Sequence, residues 1–182
     1  MARRNITKAV WTQLAVVTLF ALAMAYLESA VVIYLRALFH VSGNLITFTP
    51  SRTSVWFSVP YFTLLKPAAL SRVLPRASIS SIEVAREVAT VVMLVCLAWL
   101  AGRDWKARSA FFLYAFAVWD LGYYAFLRAL IGWPTSFKSL DVLFLIPGPW
   151  IAPVWVPIAI SVAMIAIALV LLGTGRSART RT

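Results

Sequence analysis

Carboxylates are scarce in this chain of 182 residues, and five of its six acidic residues interrupt or border apolar sequence. Asp104 stands among basic residues and needs no special explanation. The other five are Glu28, Glu83, Glu87, Asp120 and Asp141. An ionisable group in the bilayer costs about 2.5–3.5 kcal/mol on insertion scales. Such acids therefore indicate a polar site that binds or transports a proton, a cation or a small polar solute.

Other polar residues extend this candidate site. One helical stripe, with the i, i+3, i+4, i+7 spacing of a single face, holds Glu83, Arg86, Glu87 and Thr90. One turn beyond Asp120, Tyr124 offers a hydroxyl that can donate a hydrogen bond to a carboxylate. The candidate ligand- or ion-binding residues are Glu28, Glu83, Arg86, Glu87, Asp120, Tyr124 and Asp141.

The elements that must position these residues are apolar enough to be membrane spans. The chain is 62% hydrophobic and only 13% charged, with a mean hydropathy of +0.87. A water-soluble domain of this size needs a larger polar fraction. We predict spans at residues 10–36, 79–101, 110–131 and 154–172, each close to the length of about 20 residues that crosses a bilayer. The predicted fold class is all-α, a membrane-embedded bundle of about four transmembrane helices within one domain, residues 9–173.

Two longer segments connect these spans. Residues 40–78 form a predicted outer loop with a short aromatic patch that is typical of the headgroup layer. Residues 133–153 contain four prolines, a density that interrupts regular helix. We predict a short re-entrant or interfacial segment there. Residues 1–8 and 174–182 are basic tails.

The basic residues predict the orientation. With the N-terminus inside, nine lie in inner segments: Arg3, Arg4, Lys8, Arg103, Lys106, Arg108, Arg176, Arg179 and Arg181. Five lie in the longer outer segments: Arg52, Lys66, Arg72, Arg76 and Lys138. This asymmetry matches the positive-inside rule for four crossings and places both termini in the cytoplasm. The net charge of +11 is explained by orientation, and no nucleic-acid partner is expected.

This topology brings three acids to one depth. Glu28 and Asp120 each stand eight residues before an arginine near the outer end of a span. At about 1.5 Å per residue, each carboxylate lies about 12 Å below its arginine. Glu87 lies at a similar depth, and the small-residue row Ala21, Ala25 and Ser29 permits close helix approach. We therefore expect the acids to share a water-shielded pocket in the outer half of the membrane.

Five segments resemble small, uncharacterised bacterial multi-pass membrane proteins. They are YLESAVVIYLR (26–36), IEVAREVATVVML (82–94), WDLGYY (119–124), LIGWP (130–134) and LDVLFLIPGPWIAPVW (140–155). The resemblance covers most of residues 26–157. It implies a multi-pass fold and the bacterial cytoplasmic membrane as the location, and it carries no activity, cofactor or binding role to this chain.

Several functional alternatives remain open at this stage. Arg36, Arg86 and Arg128 could neutralise Glu28, Glu83, Glu87 and Asp120 through structural ion pairs between helices. Alternatively, the chain could be an accessory subunit of a larger membrane complex. A membrane-embedded enzyme acting on a lipid or phosphate headgroup could use acidic oxygen ligands to bind Mg²⁺ or Mn²⁺. Its ligands would come from Glu83, Glu87, Asp120 and Asp141. The sequence carries no specific catalytic motif, so the cofactor is unknown.

Overall fold

The protein consists mainly of long apolar helices. A computed structural model describes residues 2–39, 52–73 and 77–178. Within these ranges, four helices are long and apolar enough to cross a membrane: Val10–Leu38, Ser78–Ala101, Trp105–Ile131 and Trp155–Gly173. They belong to α1 (Ala2–Leu38), α3 (Ala77–Ala101), α4 (Trp105–Ile131) and α5 (Trp155–Ala178). The predicted fold class is confirmed, and the chain is an integral membrane protein.

The helices are longer than the predicted spans. Helix α1 begins at Ala2, so the predicted basic tail is part of it. Helix α4 begins at Trp105 because Asp104 caps it, accepting a hydrogen bond from Ala107 N at 2.9 Å. The guanidinium of Arg108 then stacks 3.5 Å over the ring of Trp99 at the end of α3. Only three residues, 102–104, connect α3 to α4.

The connecting segments form a small sheet that the sequence analysis does not predict. Its strands are β1 (Val55–Val59), β2 (Phe62–Leu65), β3 (Leu140–Val142) and β4 (Trp150–Pro153). They pair antiparallel in the order β1-β2-β4-β3. Short helical turns cover Arg52–Ser54, Pro67–Ala69 and α2 (Leu70–Val73). Residues 40–51 and 74–76 of the predicted outer loop lie outside the described residues.

The chain divides into two compact units. The helical unit comprises Met1–Ala30, Met93–Phe126 and Ile160–Thr182, and the sheet unit comprises Val31–Val92 and Leu127–Ala159. Each long helix contributes residues to both units.

Small residues bring α1 and α4 together in the helical unit. A Cβ placed on Gly122 would lie only 2.8 Å from Ala25 Cβ. The fully buried Ser29 hydroxyl donates to Ala25 O at 2.8 Å and to Tyr123 O at 3.1 Å. The rings of Tyr26 and Phe126 meet edge to face at 5.5 Å. The predicted small-residue row thus forms a close helix–helix contact.

A compact apolar cluster anchors the sheet unit. Leu65, Ala69 and Ile151 are buried together, with Val55 packed against them. Leu65 N also donates to Pro149 O at 2.9 Å. These contacts attach the turn before β4 to the β1–β2 hairpin, so the proline-rich segment packs on the described part of the outer loop.

Candidate functional site

Asp120 lies deep within α4. It stands 15 residues after Trp105 and 11 before Ile131, which is about 22 Å and 16 Å from the two ends at about 1.5 Å per residue. The hydrocarbon core of a bilayer is about 30 Å thick. A span of this length therefore carries Asp120 within the hydrocarbon layer, where a carboxylate needs a specific partner.

The partner is a hydroxyl on another helix. Ser161 Oγ on α5 donates a hydrogen bond to Asp120 Oδ2 at 2.8 Å. Ser161 is 1% exposed and Asp120 is half-buried. This pair joins α4 to α5 through one carboxylate and one hydroxyl, and both of its members belong to the helical unit.

Asp120 lies on the face of α4 that is directed away from α1. Gly122 packs on Ala25 of α1, and two residues correspond to about 200° of rotation around a helix. The carboxylate of Asp120 accordingly points toward α5. Tyr124 is buried and its ring meets that of Tyr123 at 4.9 Å. Glu28 is half-buried on α1, and its predicted gathering with Asp120 and Glu87 stays a prediction.

The predicted polar stripe of α3 contains an ion pair in the sheet unit. Arg86 donates to Glu83 Oε2 from Nε at 2.9 Å and from Nη2 at 2.7 Å. Glu83 is buried, and Arg86 is partly exposed. The pair lies within one helix, whereas the structural alternative predicts ion pairs between helices.

Glu87 holds the proline-rich segment. Its Oε2 accepts a hydrogen bond from the backbone N–H of Leu145 at 2.7 Å. A bond from a backbone donor to a carboxylate is short and strong. Glu87 thus connects α3 to the turn between β3 and β4, a role that its position in the sequence does not reveal.

Two further charged residues are buried in the sheet unit. Arg36 is 6% exposed, and its Cζ lies 4.1 Å from the ring centroid of Trp133. This is the geometry of a cation–π contact. Asp141, on β3, is 1% exposed and stands opposite Ala152 of β4. Both side chains are inside the protein and not at its lipid or water surface.

Arg128 caps its own helix. Its Nη1 donates to Gly132 O at 2.5 Å and to Pro134 O at 3.0 Å. Gly132 has a φ of 69°, the left-handed conformation that commonly ends a helix. Arg128 therefore stabilises the C-terminus of α4. Its positive charge is favourable there because the C-terminal end of the helix dipole is negative.

The acids do not assemble a metal ligand set. Among residues 2–39, 52–73 and 77–178, no three His, Cys, Asp or Glu side chains lie close enough to hold one metal ion. All four acids of the possible Mg²⁺ or Mn²⁺ site are described residues. The sequence-based grouping of Glu83, Glu87, Asp120 and Asp141 around one metal is therefore not present in this structure.

Sequence reasoning missed the groups that complete these contacts. Ser161, Trp133 and the Leu145 N–H were not predicted as partners of Asp120, Arg36 and Glu87. For Ser161 there was a signal, since it is a hydroxyl residue within an otherwise apolar run of α5. For the Leu145 N–H there was none, because every residue except proline has such a donor.

Comparison of the chain with protein-family models, with curated proteins and with solved structures finds no match. The fold and the site together define the class: an integral membrane protein with four candidate spans among its described residues and a hydrogen-bonded carboxylate within one of them.

Proposed function

We propose that this protein binds a proton or a monovalent cation at Asp120 and Ser161, as one step in moving it across the membrane. The observation that supports this is the 2.8 Å hydrogen bond between the two side chains, which both belong to the helical unit. Ionisable residues inside transmembrane segments are costly, and they commonly mark ion pathways and proton relays. A structural role alone would not require a carboxylate at this depth.

The chemistry of the pair selects the ligand class. One carboxylate supplies one negative charge, which balances one positive charge. The carboxylate oxygens and the Ser161 hydroxyl are hard oxygen donors, which suit a proton or an alkali cation. Glu28, Glu87 and Asp141, with Glu83, Arg86 and Tyr124, are the other candidates for polar groups along the path.

The proposed orientation places both termini in the cytoplasm of a bacterial cell. The distribution of lysine and arginine between the connecting segments supports it. Residues 52–73 and 132–153 then lie on the outer side, and Asp120 lies closer to the outer end of α4 than to the inner end.

A second candidate function is that of an accessory subunit in a larger membrane complex. It is favoured by the polar contacts that serve packing, namely the Glu83–Arg86 pair and the Glu87–Leu145 bond. Under this alternative the Asp120–Ser161 bond only fixes α4 against α5. The two functions differ in whether the purified protein, alone, moves an ion.

Reconstitution into liposomes tests the proposed function. Proton flux is measured with an entrapped pH-sensitive dye, and sodium and potassium flux with radioactive tracers. The native protein should raise one of these fluxes, and Asp120→Asn should reduce it by about tenfold or more. Asparagine can still accept from Ser161, but it supplies no negative charge, and an interaction with a charged group exceeds a neutral one by about 1–1.5 kcal/mol. Ser161→Ala should reduce the flux less.

Asp104→Asn is the matched control. It makes the same chemical change in the α3–α4 turn, where asparagine caps a helix as well as aspartate does, and flux should be unchanged. If the native protein conducts no more than empty liposomes do, or if Asp120→Asn conducts normally, the proposed function is wrong and the subunit alternative is favoured.

A further inference from the structure

The β1–β2 hairpin presents large apolar side chains on its surface. Trp56 is 53% exposed, Phe57 54% and Tyr61 65%. Val59 is also exposed. The hairpin is too short to span a bilayer, so crossing the membrane does not account for its exposed apolar side chains.

The register of the sheet gathers these side chains on one face. Ser58 and Thr63 are opposite each other, and their hydroxyls lie 3.1 Å apart on one side. Side chains alternate along a strand, so the neighbours of these two residues project to the other side. This other side is called the aromatic face here, and its residues are Phe57, Val59, Phe62, Leu64 and Trp150.

A bulge adds another aromatic ring beside this face. The pairing of β1 with β2 shifts between Val55 and Phe57, which leaves Trp56 as the extra residue. Bulges re-aim side chains, and here two consecutive aromatic residues are both about half exposed.

The turn of the hairpin places a tyrosine where the backbone disfavours it. Tyr61 has a φ of 68°, a conformation that costs about 1–3 kcal/mol for most residues other than glycine. Its exposed ring nevertheless makes an edge contact with Trp155 at 5.3 Å. Trp155 is the first residue of the α5 span. The tip of the hairpin is thus continuous with the end of a membrane-spanning helix.

We infer that the β1–β2 hairpin is an interfacial anchor whose aromatic face, with Trp56 and Tyr61, sits in the phospholipid headgroup layer. Tryptophan and tyrosine favour this layer because each has an apolar ring and a polar group. The contact with Trp155 fixes the depth of the hairpin, since this residue marks the membrane boundary of α5. The inference is independent of the ion-binding proposal.

Depth measurement with a fluorescent label tests the anchor. The native cysteine is removed by Cys96→Ala, and a single new cysteine is introduced by Phe57→Cys, Val59→Cys or Ser58→Cys. The fluorophore bimane is attached to the new cysteine, and the full chain is reconstituted in phosphatidylcholine vesicles. Quenchers are a nitroxide on the choline headgroup, a nitroxide deep in the acyl chain, and aqueous iodide. Headgroup nitroxide should quench labels at 57 and 59 about twofold more than a label at 58, because only the former face the interface. Iodide should show the reverse order.

Ser58→Cys is the matched control, because it places the same label on the same strand but on the opposite face of the sheet. Two independent positions on the aromatic face keep the test usable if one variant does not fold. Equal quenching by iodide at 57, 58 and 59 would show a water-exposed hairpin. Protection of 57 and 59 from all three quenchers would show that protein covers the face. Either result overturns the inference.

Discussion

Gly148→Ala is expected to destabilise the protein by about 3 kcal/mol or more, because overpacking against rigid backbone cannot relax. A Cβ at this position would overlap the carbonyl oxygen of Leu65. That residue is the centre of the apolar cluster in the sheet unit, and its N–H bonds to Pro149. Moving it would break the pairing of β2 with β4.

Thermal unfolding in detergent micelles, followed by circular dichroism, measures the effect. The expected decrease in Tm is about 5–10 °C. Gly173→Ala is the control, since Gly173 lies in α5 with no atom within 4 Å of the added Cβ. That substitution should stabilise slightly, because alanine favours helix over glycine by about 1 kcal/mol. Equal Tm values for the two variants would refute the close approach at Gly148.

Gly122→Leu is expected to have a comparable effect on the helical unit. The added side chain would enter the space between α4 and α1, where even a Cβ would lie 2.8 Å from Ala25 Cβ and 3.2 Å from Leu22 Cδ2. Separating the helices would break the hydrogen bond from Ser29 to Tyr123 O. We expect a loss of about 3 kcal/mol or more in the free energy of unfolding.

Ala125→Leu provides the comparison. Ala125 is on the same helix three residues later, and it is exposed, so the same leucine side chain can extend outward. Surface substitutions usually change stability by no more than about 0.5 kcal/mol. Denaturation of both variants in the same detergent should give a reduced Tm only for Gly122→Leu. A reduced Tm for both would show that the close contact with α1 is not the cause.

The helices could be predicted from the sequence because a membrane span is defined by composition over many residues. Some helix ends could not be predicted as well, since a helix end depends on single contacts. Asp104 starts α4 five residues before the predicted span, whereas the predicted end at residue 131 agrees with Ile131, where Arg128 caps the helix. Such capping is local and specific, and hydropathy does not report it.

The sheet was missed for a different reason. Its strands are three to five residues long, and their pairing joins distant parts of the chain, such as Thr63 with Ile151. Periodicity over three to five residues cannot distinguish a strand from a loop. The prolines correctly excluded helix from residues 133–153, but they gave no information on the strand partner.

Only part of the candidate site followed from the sequence. The Glu83–Arg86 contact was implied by helical spacing. Asp120 was recognised because a carboxylate in an apolar run is costly. Its contact with Ser161 depends on which faces of α4 and α5 meet, and this is set by packing that includes Gly122 and Ala25.

Ion-exchange infrared difference spectroscopy tests the central claim, that Asp120 and Ser161 bind a cation or proton, most directly. Films of the reconstituted protein are exchanged between buffers that differ in one cation or in pH, and the carboxyl bands are compared. We predict an ion-dependent carboxyl band that disappears in Asp120→Asn, shifts in Ser161→Ala and persists in Asp104→Asn. The absence of any ion-dependent carboxyl band in the native protein, or a band that Asp120→Asn leaves unchanged, would contradict it.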